Sequence, residues 1–404
     1  MHETLPHLPF RTCHHANCGG LAAGLDISEI NSADAPRVEH GGARVSLFFI
    51  LAGACLVLAW LVARLYLRGA SLAPYDGETG LRFASARPPS PQLADAIRRL
   101  AGGLPDAGTP RSQRLAATRR KLDCMFDDQS PCASFIPVQT DGVCGEWVCA
   151  PGIDPARRML YLHGGGFRIG SPRSHRTITA RMSALSGAAV LAIDYRLLPE
   201  HKRRAGIDDC RRAYQWMLEH SPDLTAPAQA VFVAGDSAGG NLTLSLLAWA
   251  RDQGLRQADA AVALSPVTDS TLSGPSIRAN MASDPMLGPG FGKIGWMPPS
   301  LLLWIVWISS GIRPNDPTVS PVYGDLSCLP PTLVHASETE MLYDDARRYV
   351  NRARAAGSPA QLQSWNNTLH VWHIFDPGLP EAGEAFAEIG KFLNAAAPQL
   401  DATS

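Results

Sequence analysis

The stretch Val231-Phe232-Val233-Ala234-Gly235-Asp236-Ser237-Ala238-Gly239-Gly240 decides how this chain is read. An apolar run of strand character passes into a Gly-x-Ser-x-Gly turn and then into a helix-forming segment. Such a turn holds its serine in a strained backbone conformation, and the small Gly235 and Gly239 let it form without a clash. The N-terminus of the following helix then faces the site, so the Ala238 amide is available to hold an oxyanion. Taken alone the motif is weak, because glycine and serine are common in ordinary βα loops.

Upstream, Met159-Leu160-Tyr161-Leu162 reads as a second apolar strand and ends in His163-Gly164-Gly165-Gly166-Phe167. Three consecutive glycines disfavour regular structure, yet they let backbone amides approach a ligand closely, as an oxyanion hole requires. A flexible glycine loop with a structural histidine explains this segment by itself. It does not explain a serine elbow downstream in the same strand-loop-helix context.

Together these motifs resemble the hormone-sensitive-lipase-like branch of the α/β-hydrolases, carboxylesterases with an HGGG oxyanion loop and a GDSAGG elbow. The resemblance covers residues 115–397. It includes Gly170-Ser171-Pro172 with His175-Arg176, the run Asp194-Tyr195-Arg196-Leu197-Leu198-Pro199-Glu200-His201, and Leu264-Ser265-Pro266. Asp284-Pro285-Met286-Leu287 and Ser320-Pro321-Val322-Tyr323-Gly324-Asp325-Leu326 complete it in family order. One departure stands out: after His201 the family continues with proline and apolar residues, where this chain has Lys202-Arg203-Arg204.

Alternating strand and helix patterns independently call for a mostly parallel sheet covered on both faces. Strands are expected at Glu146-Val148, Met159-Leu162, Ala189-Ile193, Ala230-Ala234, Ala260-Leu264, Thr332-His335 and Gln361-Trp365. Helices are expected at Thr177-Ser186, Gly206-His220, Ala238-Asp252, Asp344-Ala356 and Glu381-Ala395. The expected architecture is an α/β-hydrolase fold with a small helical cap, plus an N-terminal transmembrane helix.

At 404 residues with 46% hydrophobic content, the chain is long enough for one large domain with additions. A net charge of -1 offers no attraction for nucleic acid, and no such partner is expected. Nine cysteines in so long a chain do not form a dense disulfide framework. Cys144 with Cys149, or Cys124 with Cys132, would pair only in an oxidising compartment, and scattered free thiols are the simpler reading. Cys13-His14-His15 with Cys18 superficially suggests a metal site but lacks a second ligand pair. No metal or organic cofactor is expected.

Residues 1–44 carry many Pro, His, Asn and Gly without apolar periodicity and read as a disordered tail. Residues 45–63 are free of charge and bounded by Arg44 and Arg64; at the helical rise they span roughly 28 Å, the thickness of a hydrocarbon core. A single-pass membrane anchor follows, and the arginines after the span favour a cytoplasmic catalytic domain. A cleaved signal peptide or a buried helix is the alternative, and the signal peptide fits only a start site further along the chain. Residues 64–114 read as a linker or stalk that contributes to the cap, residues 115–397 as the catalytic domain and 398–404 as a tail.

A serine hydroxyl needs a general base and a carboxylate that orients it, and in this fold both follow the serine, acid first. The histidines after Ser237 are His335, His370 and His373. His335 lies within an apolar strand pattern and reads as structural. His370 follows a strand and the Asn366-Asn367-Thr368 turn and is the expected base, with His373 its competitor. The family places its carboxylate in the loop Ser337-Glu338-Thr339-Glu340-Met341-Leu342, which puts Glu340 at the acid position with Glu338 as the alternative. Asp344 and Asp345 read as residues favourable at a helix N-terminus, and Asp236 as a local structural hydrogen-bonder. The amides of Gly165, Gly166 and Ala238 are the expected oxyanion donors, each worth about 3 to 4 kcal/mol in the transition state.

The apolar stretch Trp296 to Ile308 lies between elbow and acid, and its uninterrupted run from Leu301 to Ile308 is too short to cross a bilayer. It reads as a lid or pocket wall, with Phe167, Trp304 and Trp307 lining a site for an apolar acyl or alcohol group; a core helix is the plainer alternative. The function expected is a serine carboxylic-ester hydrolase working through an acyl-enzyme on small apolar, acetylated or lactone substrates. A turnover-dead ligand receptor on the same fold, or an amidase, is the alternative.

Overall fold

The computed structural model describes residues 40–83, 89–102, 108–140, 142–223, 226–292, 295–366 and 368–398, with side chains from Leu47 onward. Cys13, His14, His15 and Cys18, and almost all of both expected tails, lie outside the described residues. The chain divides into two compact units, Met1–Ala54 and Cys55–Ser404, and the described part of the first is helical. Helix α1 (His40–Val62) is followed by a π-helical turn at Ala63–Leu67. Leu47–Leu67 makes a helix of 21 residues that is long and apolar enough to cross a membrane.

Among the described residues nine strands form one sheet: β1 (Leu81–Phe83), β2 (Ser134–Thr140), β3 (Val143–Cys149), β4 (Asp154–Leu162), β5 (Ala188–Ile193), β6 (Ala230–Asp236), β7 (Ala260–Leu264), β8 (Thr332–Ser337) and β9 (Ala360–Trp365). Their order is β1-β9-β8-β7-β6-β4-β5-β3-β2, parallel throughout except where β3 meets β5 and β2 meets β3. The helices after α1 are α2 (Pro91–Gly102), α3 (Arg114–Asp123), α4 (Arg176–Ser186), α5 (Arg203–Glu219), α6 (Ala238–Asp252), α7 (Ser276–Ala279), α8 (Gly288–Phe291), α9 (Pro299–Ser310), α10 (Tyr343–Ala355) and α11 (Pro380–Ala396).

Central strands of a parallel sheet are covered on both sides, which is why β5 and β7 are apolar at nearly every position rather than alternating. Successive side chains nevertheless point to opposite faces. Leu160, Leu162, Val231 and Val233 meet Ile207 of α5, Leu242 of α6 and Tyr349 of α10. Met159, Tyr161, Phe232 and Ala234 meet Met182 of α4 and Phe386 of α11 on the other side. Each fully buried aliphatic or aromatic side chain of this kind contributes about 1.5 to 3 kcal/mol.

All seven expected strands are present, and β1, β2 and α3 join them. β2 carries Pro137, which suits an outermost strand and masks it as a sequence signal. β1 is three residues long, too short for any periodicity to register. Tertiary contacts hold it: Phe83 stacks on Trp365 with ring centroids 4.4 Å apart, and Arg82 binds both carboxylate oxygens of Glu338 at 2.7 Å. Part of the segment read as linker, 64–114, is therefore sheet, and Asp76 within it pairs with Arg348 of α10. The four cysteines weighed as disulfide partners, Cys124, Cys132, Cys144 and Cys149, carry free thiols.

Candidate active site

β6 ends at Asp236, and Ser237 takes φ 50°, ψ -114° before α6 begins at Ala238. A positive φ is costly for a residue with a Cβ, so the surroundings must enforce it. The Ser237 amide donates to Leu264 O of β7 at 2.7 Å, and Asn241 N of α6 donates to Ser237 O. Gly239 packs so closely on the end of β4 that any Cβ there would collide with Leu162 O. Gly235 is similarly confined, with a Cβ position only 2.6 Å from Gly239 O.

His370 lies in the loop after β9. Its Nε2 is 2.9 Å from Ser237 Oγ and its Nδ1 is 3.0 Å from Glu340 Oε2. Glu340 sits in the loop after β8 and is completely buried. Burial pushes its carboxyl pKa up, against the opposing pull of His370. Burial also disfavours a charged His370, but the hydrogen bond and charge of Glu340 outweigh it and leave the imidazole pKa above its ordinary value.

The competing residues are engaged elsewhere. Glu338, the alternative acid, is occupied by Arg82 and by Ser364 Oγ, and the Arg82 guanidinium holds its pKa down. His373 Nε2 faces His335 Nδ1 at 3.0 Å, and His335 Nε2 faces Gln363 Oε1 at 2.9 Å. Burial lowers the pKa of His335 to about 3 and that of His373 well below the usual value, so both are neutral. Asp345 accepts from the amides of Thr268 and Asp269, and Asp344 accepts from Ser276 N. Both anchor loops rather than act on the site.

Gly165 and Gly166 follow β4 with φ 111° and 61°, values that favour glycine. Among the described residues the amides of Gly165, Gly166 and Ala238 donate to no protein acceptor. Asp236 ties this loop to the elbow: its Oδ1 accepts from Gly164 N at 3.0 Å and from Tyr161 OH at 2.7 Å, and its Oδ2 faces His175 Nε2 at 3.4 Å. His163, stacked on Tyr195, is driven by burial to a pKa of about 3 and stays neutral.

Several residues were not singled out for a role in the sequence. Asn280 Nδ2 donates to Glu338 O and Glu340 O at 2.9 and 2.8 Å, and Asp284 Oδ2 accepts from Met341 N, so both pin the loop that carries Glu340. Asp284 lay in a quoted motif; Asn280 left no local signal. The departure at Lys202-Arg203-Arg204 also has a consequence. Arg203 is buried, its guanidinium 3.4 Å from the Phe167 ring centroid, and it donates to Asn241 Oδ1 at 2.8 Å without a carboxylate partner among the described residues. Phe167 is thus clamped beside the glycine loop.

α9 is a helix, and Trp304 and Trp307 pack against the end of the long apolar helix. Trp304 Nε1 donates to Ala59 O at 3.1 Å, Trp307 meets Tyr66 edge-on, and both pack against Ala63, Leu67 and Leu303. A run of apolar residues at this spacing fits either role, and only the packing partner distinguishes them.

Residues 159–374 match a family described as alpha/beta hydrolase fold. The chain is 38% identical over 260 residues to an acetyl-hydrolase of Streptomyces hygroscopicus, spanning 64% of this chain and 82% of that protein. It is 34% identical over 257 residues to a carboxylesterase/phospholipase of Mycobacterium tuberculosis, spanning 61% of this chain and 65% of the relative, just under two thirds of its length. The crystal structure of an esterase from the bacterial hormone-sensitive lipase family superposes with a TM-score of 0.66 at 35% identity, covering 77% of this chain and 99% of that one. The chain belongs to the hormone-sensitive-lipase-like branch of the α/β-hydrolase fold family, a family of carboxylic-ester hydrolases.

Proposed function

We propose that this protein is a serine esterase that cleaves carboxylic esters through an acyl-enzyme. The observation that carries the reading is the unbroken hydrogen-bonded line from Ser237 Oγ through His370 to Glu340, at 2.9 and 3.0 Å. Ser237 Oγ attacks the ester carbonyl as His370 Nε2 takes its proton, and buried Glu340 stabilises the imidazolium. The carbonyl oxygen gains charge and is held by the amides of Gly165, Gly166 and Ala238. Collapse of this tetrahedral adduct breaks the bond to the alcohol, which leaves with the proton from His370. Water, deprotonated by the same imidazole, then attacks the acyl-serine, and the acid departs as Ser237 recovers its proton.

Small acyl esters are the proposed substrates, in keeping with the acetyl-hydrolase relative, and the apolar helix Leu47–Leu67 is proposed to anchor the enzyme in a membrane. The test is hydrolysis of p-nitrophenyl acetate together with mass spectrometry after reaction with an alkyl fluorophosphonate. Steady turnover, loss of turnover in Ser237→Ala and a phosphonyl adduct on Ser237 are expected. An adduct at another residue, or undiminished turnover in Ser237→Ala, overturns the proposal.

A further inference from the structure

Where the apolar helix ends, a cavity of about 560 Å3 opens between that end and the cap. Trp60 and Ala63 form one wall, and Leu302 and Leu303 of α9 form another, with Ile277 and Phe291 between them. Neither Ser237, His370 nor the glycine loop lines it, so it is not the place of bond cleavage.

Three arginines reach this space, Arg64, Arg68 and Arg278, beside the hydroxyl residues Thr271, Ser273 and Ser300. Among the described residues none of them forms an ion pair or a side-chain hydrogen bond, and no acidic residue lines the cavity. Arg64 and Arg68 are four apart and share one side of the last turns. Their depth is informative: Arg64 lies just inside the end of the Leu47–Leu67 span and Arg68 directly follows it. If the helix crosses a bilayer, both guanidinium groups stand at the level of lipid phosphates, with their stems along the apolar layer.

We infer that this cavity binds an anionic phospholipid of the surrounding leaflet, its phosphate on Arg64, Arg68 and Arg278 and its acyl chain along Trp60, Leu302 and Leu303. The inference rests on the membrane-anchor reading above. The apolar walls of Trp60, Leu302 and Leu303 suit an acyl chain rather than a free phosphate, and three cations without a carboxylate partner favour a net negative head group over a zwitterionic one. The site also adjoins the catalytic apparatus, because Ile277 and Arg278 belong to α7, next to the Asn280 that pins the Glu340 loop.

The test uses the full chain in vesicles of phosphatidylcholine alone or with phosphatidylglycerol, either lipid carrying brominated acyl chains that quench nearby tryptophan. Phosphatidylglycerol is expected to quench more strongly per mole, with Trp60→Phe removing most of the difference. Each arginine is expected to contribute about a fivefold preference. Arg64→Gln/Arg68→Gln/Arg278→Gln abolishes the preference, and the corresponding triple lysine variant retains most of it. Equal quenching by the two lipids, an unchanged preference in the glutamine variant, or displacement of the lipid by inorganic phosphate overturns the inference. Flotation with pure phosphatidylcholine vesicles reports the anchor independently: a chain that does not float defeats the anchor and this inference together, whereas one that floats without lipid preference defeats only the inference.

Discussion

The loop of Glu340 is held by directional bonds from other elements: Asn280 holds the carbonyls of residues 338 and 340, Asp284 holds the Met341 amide, and Ser276 Oγ donates to Met341 O. Along α9 the reverse holds. Leu301, Ile305 and Ile308 stand exposed, Ile308 to 76%, and one indole hydrogen bond with a small apolar cluster attaches the helix to the chain around Ala63. The first region positions atoms by directional bonds that stay in force whatever surrounds the protein. The second leaves apolar surface exposed, which is the kind of surface that gains free energy when covered by another apolar phase.

The contrast is tested most severely at the catalytic line. Ser237→Ala is expected to lower kcat by roughly 10^5- to 10^6-fold in ester hydrolysis, without loss of fold by circular dichroism. Glu340→Gln is expected to cost roughly 10^4-fold, because the imidazole loses the charge that fixes its tautomer, whereas Glu338→Gln changes kcat only a few fold. Equal losses in the two would mean that the Arg82 pair shapes the site more than its position outside the hydrogen-bonded line implies.

A pH profile sharpens the same point. His370 must be unprotonated to accept the serine proton, and Glu340 raises its pKa. The acid limb of kcat/KM, which belongs to the His370–Glu340 pair rather than to either group alone, is therefore expected above the ordinary histidine value, activity falling as pH drops through it. In Glu340→Gln the residual activity should show that limb displaced to lower pH. A limb that stays in place would show that another group governs it.

Arg203→Met tests the buried cation clamped on Phe167. A drop in kcat on the order of tenfold with little change in KM is expected, since removing it frees the glycine loop proposed to hold the oxyanion without removing a substrate contact. At the apolar end, Trp304→Ser is expected to weaken the attachment of α9 by about 1 to 3 kcal/mol in thermal unfolding. It should lower activity on acetyl and longer acyl esters alike; a selective loss on long chains would assign this tryptophan to the substrate pocket. Ile308→Ser should move stability in detergent by less than about 0.5 kcal/mol.

Much of the active site was legible because its parts demand particular residues. Gly-x-Ser-x-Gly and the glycine run were readable since a Cβ at Gly164, Gly165, Gly235 or Gly239 would collide with neighbouring atoms. Glu340 was reachable only through family resemblance, because Glu338 two residues away offers the same carboxylate. The difference between them is the three-residue strand β1, whose Arg82 occupies Glu338, and no local pattern in Leu81-Arg82-Phe83 announces that pairing. The packing of Trp304 and Trp307 against the chain around Ala63 was illegible for a related reason: an apolar helix records that it is covered, not by what.

The order of strands and helices, the elbow, the glycine loop and a membrane-length helix follow from the chain alone, since periodicity and steric demand act between residues that are near in sequence. Which glutamate meets His370, which histidine meets Ser237 and what α9 packs against are contacts between residues tens to hundreds of positions apart. Several side chains of the right chemistry compete for each such contact. Only the packed sheet, by placing the ends of β6, β8 and β9 side by side, selects among them.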